Sequence, residues 1–207
     1  MFRDRTDAGA QLAEALAARA FPDPVVLALP RGGVPVALPI AKRLGAPLDL
    51  LLVRKIGLPG NPEVAAGAVV EDGAPVFNPA ILQAYGLTPQ DFDADVAARR
   101  REIAARRTAW LAHRDPVPLQ GRTAIVVDDG IATGATVRAA LQGLAARRPA
   151  RIVLAVPVAP ADTRAALAPL ADDLICLETP SRFHAVGAQY QRFDQVPDAS
   201  VAQMLAG

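Results

Sequence analysis

Cysteine is almost missing from this 207-residue chain: Cys176 stands alone. A lone cysteine forms no internal disulfide, and no Cys/His cluster has zinc-site spacing. Within Asp173-Leu-Ile-Cys-Leu177 it reads as a small buried hydrophobe on a strand. Excess charge of either sign is missing as well. The formal net charge is +1, so the overall field gives no reason to expect nucleic acid or a membrane surface as a partner. No uninterrupted apolar run approaches about 20 residues and no basic-then-apolar leader pattern opens the chain, so a cytoplasmic protein is expected. Internal repeats, low-complexity tracts and long linkers are also missing. Three familiar motifs are absent too: a Gly-Lys-Ser/Thr phosphate loop, a Gly-x-Gly-x-x-Gly turn after a strand, and a Gly-x-Ser-x-Gly elbow.

The chain is 52% hydrophobic and 21% charged, an ordinary balance for one globular domain over residues 1–207. Short Val/Ile/Leu runs alternate with longer Ala-rich stretches, which predicts an α/β fold with a mostly parallel central sheet flanked by helices. A first helix is expected over 7–20. Strands are expected over 25–29, 48–53, 123–127, 151–156 and 174–177, with a hairpin of 65–70 and 74–77 around Glu71-Asp-Gly73. A helix after 30–33 ends before Gly45, a typical left-handed stop. Asn78-Pro79 and Thr88-Pro89 look like helix caps followed by Pro, the second opening a long helix to about His113. Residues 78–115 therefore form a helical insertion. A short helix follows Pro197-Asp198.

The chemistry concentrates in Thr123-Ala-Ile-Val-Val-Asp-Asp-Gly-Ile-Ala-Thr-Gly-Ala-Thr136. An apolar strand ends in two carboxylates, and a short loop then feeds a helix starting near Ala135. Ligands of open α/β sheets lie beyond the carboxyl ends of the strands. A helix N-terminus offers unpaired N–H groups and partial positive charge, which suits a phosphate. Thr133 and Thr136 add hydroxyls there. Asp128 and Asp129, acceptors when ionised, suit vicinal ribose hydroxyls or Mg2+. Asp-Asp-Gly alone describes a plain turn equally well; the agreement of strand, acid pair, loop and helix is what favours a ribose 5-phosphate site. Leu29-Pro-Arg-Gly-Gly-Val34 follows the first strand, where paired glycines can expose backbone N–H groups and Arg31 can clamp an anion bidentately. Arg54 and Lys55 enter the Gly/Pro-rich stretch to Pro62, which reads as a mobile loop or as two solvated charges on an ordinary one.

The segment 126–136 resembles the phosphoribosyl pyrophosphate signature of type I phosphoribosyltransferases, and the order of the other motifs extends the resemblance over most of residues 24–195. The resemblance implies transfer of the 5-phosphoribosyl group to a nitrogenous acceptor with release of pyrophosphate. It assigns Asp128 and Asp129 to the ribose hydroxyls and to Mg2+, directly or through water. Gly130, Ile131, Ala132, Thr133, Gly134, Ala135 and Thr136 would wrap the 5-phosphate. Pro30, Arg31, Gly32 and Gly33, with Arg54 and Lys55, would hold pyrophosphate, and the family's corresponding loop often carries a strained or cis peptide. Asp128, Asp129, Arg31 and Lys55 are the catalytic candidates. Glu63 is a weaker metal candidate. Ala132 stands where hypoxanthine/guanine-type enzymes place an Asp, which puts that base in doubt.

The resemblance further implies a small hood over 178–195, where Phe183, His184 and Tyr190 are acceptor candidates beside Gln189 and Phe193. Core packing explains the aromatics equally well, and a surface role explains His184. Arg99, Arg100, Arg101, Arg106 and Arg107 read as a solvated helix face, and His113 as a cation at the end of that helix. The family commonly forms homodimers and serves nucleotide metabolism. The alternative reading is a regulator of the same fold that binds phosphoribosyl pyrophosphate without turnover.

Overall fold

The computed structural model describes residues 1–207 apart from 72, 113 and 207 and the side chains of 62 and 63. Asp72, His113 and the Glu63 side chain, three expectations above, thus lie outside the described residues. In chain order the elements are α1 (Arg5–Ala17), β1 (Pro24–Ala28), α2 (Gly33–Leu44), β2 (Leu48–Leu50), β3 (Val53–Leu58), β4 (Asn61–Val70), β5 (Val76–Phe77), α3 (Pro79–Tyr85), α4 (Asp93–Leu111), β6 (Thr123–Val127), α5 (Ala135–Leu144), β7 (Arg151–Val158), α6 (Ala161–Leu167), β8 (Asp173–Glu178) and α7 (Asp198–Ala206).

Five strands pair in parallel in the order β2-β1-β6-β7-β8. Because side chains alternate across a strand, each strand feeds two apolar layers. Val26, Ala28, Ile125, Val127, Val153 and Ala155 point to the layer closed by α1, α2, α4 and α7. Val25, Leu27, Ala124, Val126, Leu154 and Val156 point to the layer closed by α5 and Leu167 of α6. All five residues of β6 are buried, as expected for a central strand covered on both faces. Gly45 takes φ +60° and ends α2, and Asn78 caps α3 through its side chain.

Two expectations about the region after β2 are corrected. The strand expected over 48–53 breaks at Leu50, and Val53 opens β3 in a separate antiparallel sheet, β3-β4-β5. Backbone pairing drives the break: the N–H of Leu51 donates to Ala28, whereas Leu52 accepts from Glu71. Arg54 and Lys55 therefore lie inside β3, and residues 57–62 form the end of the β3–β4 hairpin rather than an irregular loop. The expected 65–70/74–77 pairing exists as β4–β5, in the register Gly67↔Phe77 and Ala68↔Val76. α6 had no counterpart in the sequence reading. Its seven residues carry too few apolar positions to announce a period.

The expected helical insertion contains α3 and α4, and α4 is tied down by charge. Arg107 of α4 bonds Asp49 at 3.1 Å and Glu71 at 3.0 Å, and the Val117 N–H also donates to Asp49. Asp49 and Glu71 are both buried. Arg107 is thus a structural arginine rather than part of a solvated face.

Candidate functional site

The site gathers at the carboxyl ends of β1, β6 and β7. Beyond β6 the Asp129 N–H donates to the Asp128 carboxylate at 2.8 Å. Burial, and then the neighbouring Asp129 charge, push the Asp128 carboxyl well above the usual carboxylate range. Gly130 must lack a side chain, since a Cβ there would lie 2.5 Å from Val186 and 2.8 Å from Val158. The Ile131 N–H donates to Val158, pinning the loop to β7, and the Thr163 hydroxyl donates to the Ala132 carbonyl. Gly134, at φ +75°, turns the chain into α5 without any side-chain cap. The first N–H groups of α5 therefore have no side-chain cap and could receive an anion. Thr133, Ala135 and Thr136 are exposed at this turn.

The loop after β1 packs directly on the acid pair. A Cβ at Gly32 would sit 2.0 Å from Asp129 Oδ2, and one at Gly33 would sit 2.7 Å from the Val127 carbonyl oxygen. The two glycines are thus the condition for β1 and β6 to bring their loops together, which explains Gly-Gly as more than a turn preference. The Pro30–Arg31 peptide is cis. Arg31 Nη1 reaches Asp198, the first residue of α7, at 3.4 Å.

Alternation along β3 separates Arg54 from Lys55. Lys55 shares a face with Val53 and, with Thr133, Thr136, Phe77 and Gln142, lines a cavity of about 510 Å³ between the β3-β4-β5 sheet and α5. Arg54 shares the opposite face with Ile56 and lies 3.6 Å from Glu102 of α4. The two cations thus do not converge on one point.

The segment expected to form a hood, 178–195, is joined by the first residues of the chain. Phe2 pairs with Tyr190 through an isolated bridge, and Phe2 and Gln191 exchange backbone contacts with Gln189 and Phe2 in turn. The Tyr190 ring stacks between Phe2 and Phe193, and its hydroxyl donates to the Asp129 carbonyl at 2.6 Å. Burial, followed by the Asp129 charge, raises the Tyr190 phenol far above its ordinary value. Phe183 is half-buried and His184 is exposed. Sequence reading missed Arg5. Its Nε donates to Asp129 Oδ2 at 2.7 Å, its Nη1 donates to the Asp194 carbonyl at 2.7 Å, and its guanidinium lies 3.8 Å over the Phe193 ring. Both partners are mostly buried, with side chains 12% and 15% exposed. The one trace of this in the sequence is a cation in the first turn of α1, where the helix dipole disfavours it.

Asp128 and Asp129 could together hold a divalent cation that takes its remaining ligands from phosphate oxygens, the usual manner for Mg2+. Asp129 would then share its charge with Arg5. Among the described residues no group of three or more His, Cys, Asp or Glu side chains could hold a metal without such help. No described helix is long and apolar enough to cross a membrane.

Residues 4–191 match the family model described as the phosphoribosyl transferase domain. Over 205 residues the chain is 47% identical to a Mycobacterium tuberculosis protein, known from strains CDC 1551 and H37Rv, whose name gives it provisionally as a phosphoribosyl transferase; the match covers 99% of this chain and 46% of that protein. The chain thus spans about half the length of the curated relatives it matches. A crystal structure of a Thermus thermophilus protein superimposes with a TM-score of 0.87 at 44% identity, covering 99% of this chain and 97% of the other. An Aquifex aeolicus protein shares the fold alone, with a TM-score of 0.51 at 12% identity over 88% of this chain and 78% of that one.

Proposed function

The chain belongs to the phosphoribosyl transferase domain family, and on that footing we propose that it transfers the 5-phosphoribosyl group from phosphoribosyl pyrophosphate to a nitrogenous acceptor. The observation that carries this reading is the packing of Gly32 and Gly33 against Asp129 and Val127. It supports the reading because it sets the Pro30–Gly33 loop against the carboxylate pair that leads into the uncapped start of α5, an order that suits a phosphorylated ribose with a pyrophosphate leaving group.

In this reading the start of α5 with Thr133 and Thr136 binds the 5-phosphate. Asp128 and Asp129 hold the ribose hydroxyls. With its carboxyl shifted upward, Asp128 can keep a proton and donate one hydrogen bond, while Asp129 accepts another. The bond from the anomeric carbon to pyrophosphate oxygen breaks, a bond to acceptor nitrogen forms, and the acceptor loses one proton. Positive charge develops on the sugar as negative charge collects on the leaving group. Arg31 and the Gly32–Gly33 backbone stabilise the latter, and Lys55 faces the cleft wall beside the phosphate turn. Asp128 and Asp129 would hold Mg2+, which would supply charge neutralisation for the leaving group. The hood of residues 2–5 and 186–194 shields the anomeric centre from water. Phe183 and His184, just before the second of these segments, are the candidates left to meet an acceptor, since the Tyr190 hydroxyl is committed to Asp129. The reading carries with it a cytoplasmic homodimer acting in nucleotide metabolism.

One observation favours a second reading, a regulator that binds the same ligand without turnover: Arg5 already occupies Asp129 Oδ2. Two measurements separate these possibilities. Phosphoribosyl pyrophosphate with Mg2+ should raise the melting temperature, and Asp128→Asn with Asp129→Asn should remove the shift; a shift that survives in the double variant overturns the site. Pyrophosphate release across a broad panel of bases and amines then tests turnover. Tight ligand binding with no release from any acceptor supports the regulator.

A further inference from the structure

The leaving-group side of the cleft continues onto the helical insertion. Arg99, Glu102 and Arg106 follow one another at helical spacing along one face of α4. Arg54 comes up from β3 against that face, with its Nε 3.6 Å from Glu102 and its Nη1 donating to the Val53 carbonyl at 2.9 Å. Arg99 pairs with the same Glu102. Asp198, at the start of α7, reaches across to Arg31 of the glycine loop.

The balance of charge is uneven. Among the described residues, the carboxylates that meet Arg31, Arg54 and Arg99 are Glu102 and Asp198, with Arg106 adding a further cation beside Arg54. Burial, then Arg106, lowers the Arg54 pKa; Arg99 adds to this, against Glu102 and Asp198, so these groups sit within electrostatic reach of one another. Arg54 Nη2 and Arg99 Nε are buried and have no hydrogen-bond acceptor among the described residues. Buried donors are nearly always satisfied, and leaving one unpaired costs about as much as a lost hydrogen bond. Two surplus cations and two orphaned donors at one junction make a place that lacks an anion.

We propose that Arg54, Arg99 and Arg106 form a second anion subsite for a phosphate-type dianion, contiguous with the glycine loop through Arg31, and that Asp198 is the chain's own competitor for it. The inference rests on the proposed function for its setting, because the glycine loop marks the pyrophosphate end of the cleft. It gives the insertion a role: α4 carries the far wall of the leaving-group site. The dianion is either the outer phosphate of the donor's pyrophosphate or a free phosphate bound beside it.

The test is calorimetric titration of the full chain with pyrophosphate and, separately, with inorganic phosphate. Arg99→Ala and Arg106→Ala should each weaken pyrophosphate on the order of tenfold, the loss expected for a hydrogen bond to a charged group. Arg101→Ala removes the same charge from an exposed position on α4 and should change nothing. Arg106 also lies 5.3 Å over the Trp110 ring, so Arg106→Lys, which keeps the cation, should recover most of the binding. Asp198→Asn should tighten pyrophosphate by up to about fivefold, the value of a largely exposed ion pair. Phosphate that still binds protein saturated with phosphoribosyl pyrophosphate identifies a separate anion, and phosphate that is excluded identifies the donor's own group. If Arg99→Ala and Arg106→Ala titrate like Arg101→Ala while the donor binds through the acid pair, the subsite is overturned and the proposed function stands. If pyrophosphate binding is arginine-sensitive but wild-type protein binds no phosphoribosyl pyrophosphate, the proposed function falls and the subsite stands. No pyrophosphate binding at all overturns both.

Discussion

The Asp128 carboxyl holds its proton more tightly in the folded protein than an unfolded chain would, because burial and the Asp129 charge both disfavour its ionised form. In the pH window from about 4, the unfolded value, up through the raised folded value, the native state binds more protons than the unfolded one. This group's contribution to stability therefore falls as pH rises through that window. Asp4 and Asp7 have lowered values and act in the opposite sense, so the test is a difference. The wild-type minus Asp128→Asn melting temperature should decline with rising pH, leaving the variant the more stable protein at neutral pH. A flat difference across pH 4 to 8 would mean that Asp128 titrates normally. Such a cost at a carboxylate facing a cleft is what a functional site leads one to expect.

At the scale of elements, two adjacent glycines serve different ends. The Cβ of Gly32→Ala meets the carboxylate end of Asp129, which can swing away only by giving up Arg5. The Cβ of Gly33→Ala meets the backbone of β6, which cannot move without disturbing the central sheet. Gly33→Ala should therefore cost about 1–3 kcal/mol in denaturant unfolding, the usual range for overpacking. Gly32→Ala should cost less stability and lose more phosphoribosyl pyrophosphate affinity; equal effects of the two on both measurements would show that the loop has no such division. The turn at 30–33 was legible in the sequence, but the reason for two glycines was not, because β6 lies about a hundred residues further on. Arg54 and Lys55 give a similar lesson. Their adjacency suggested joint action, and the pleat of β3 sends them to opposite faces.

For the whole molecule, the Asp49–Arg107–Glu71 cluster joins the central sheet, the end of β4 and the insertion. Removing one member of a buried ionic group leaves the others uncompensated, at a cost of about 3–5 kcal/mol. Arg107→Met should lower stability by that amount in chemical denaturation, whereas Arg101→Ala should stay within about 0.5 kcal/mol, as surface changes do. Comparable losses for both would mean that α4 is held by its apolar residues alone. The same cluster explains why a run of arginines read as one solvated face divides by position. Helical spacing turns Arg107 inward to Asp49, Arg99 and Arg106 toward Arg54, and leaves Arg101 in water.

The local alternation of apolar runs and Ala-rich stretches determined the parallel sheet, its helices and the acid-pair loop, because a strand–loop–helix unit is encoded within about fifteen neighbouring residues and each strand's burial shows in its own composition. Tertiary structure alone decided what meets that loop. Arg5 lies 124 positions from Asp129, and Asp198 lies 167 from Arg31. Phe2 reaches Tyr190 from the other end of the chain. Ion pairs and stacked rings carry no periodic signature along the sequence, and their partners are chosen only when the sheet brings the two ends of the chain over the same cleft.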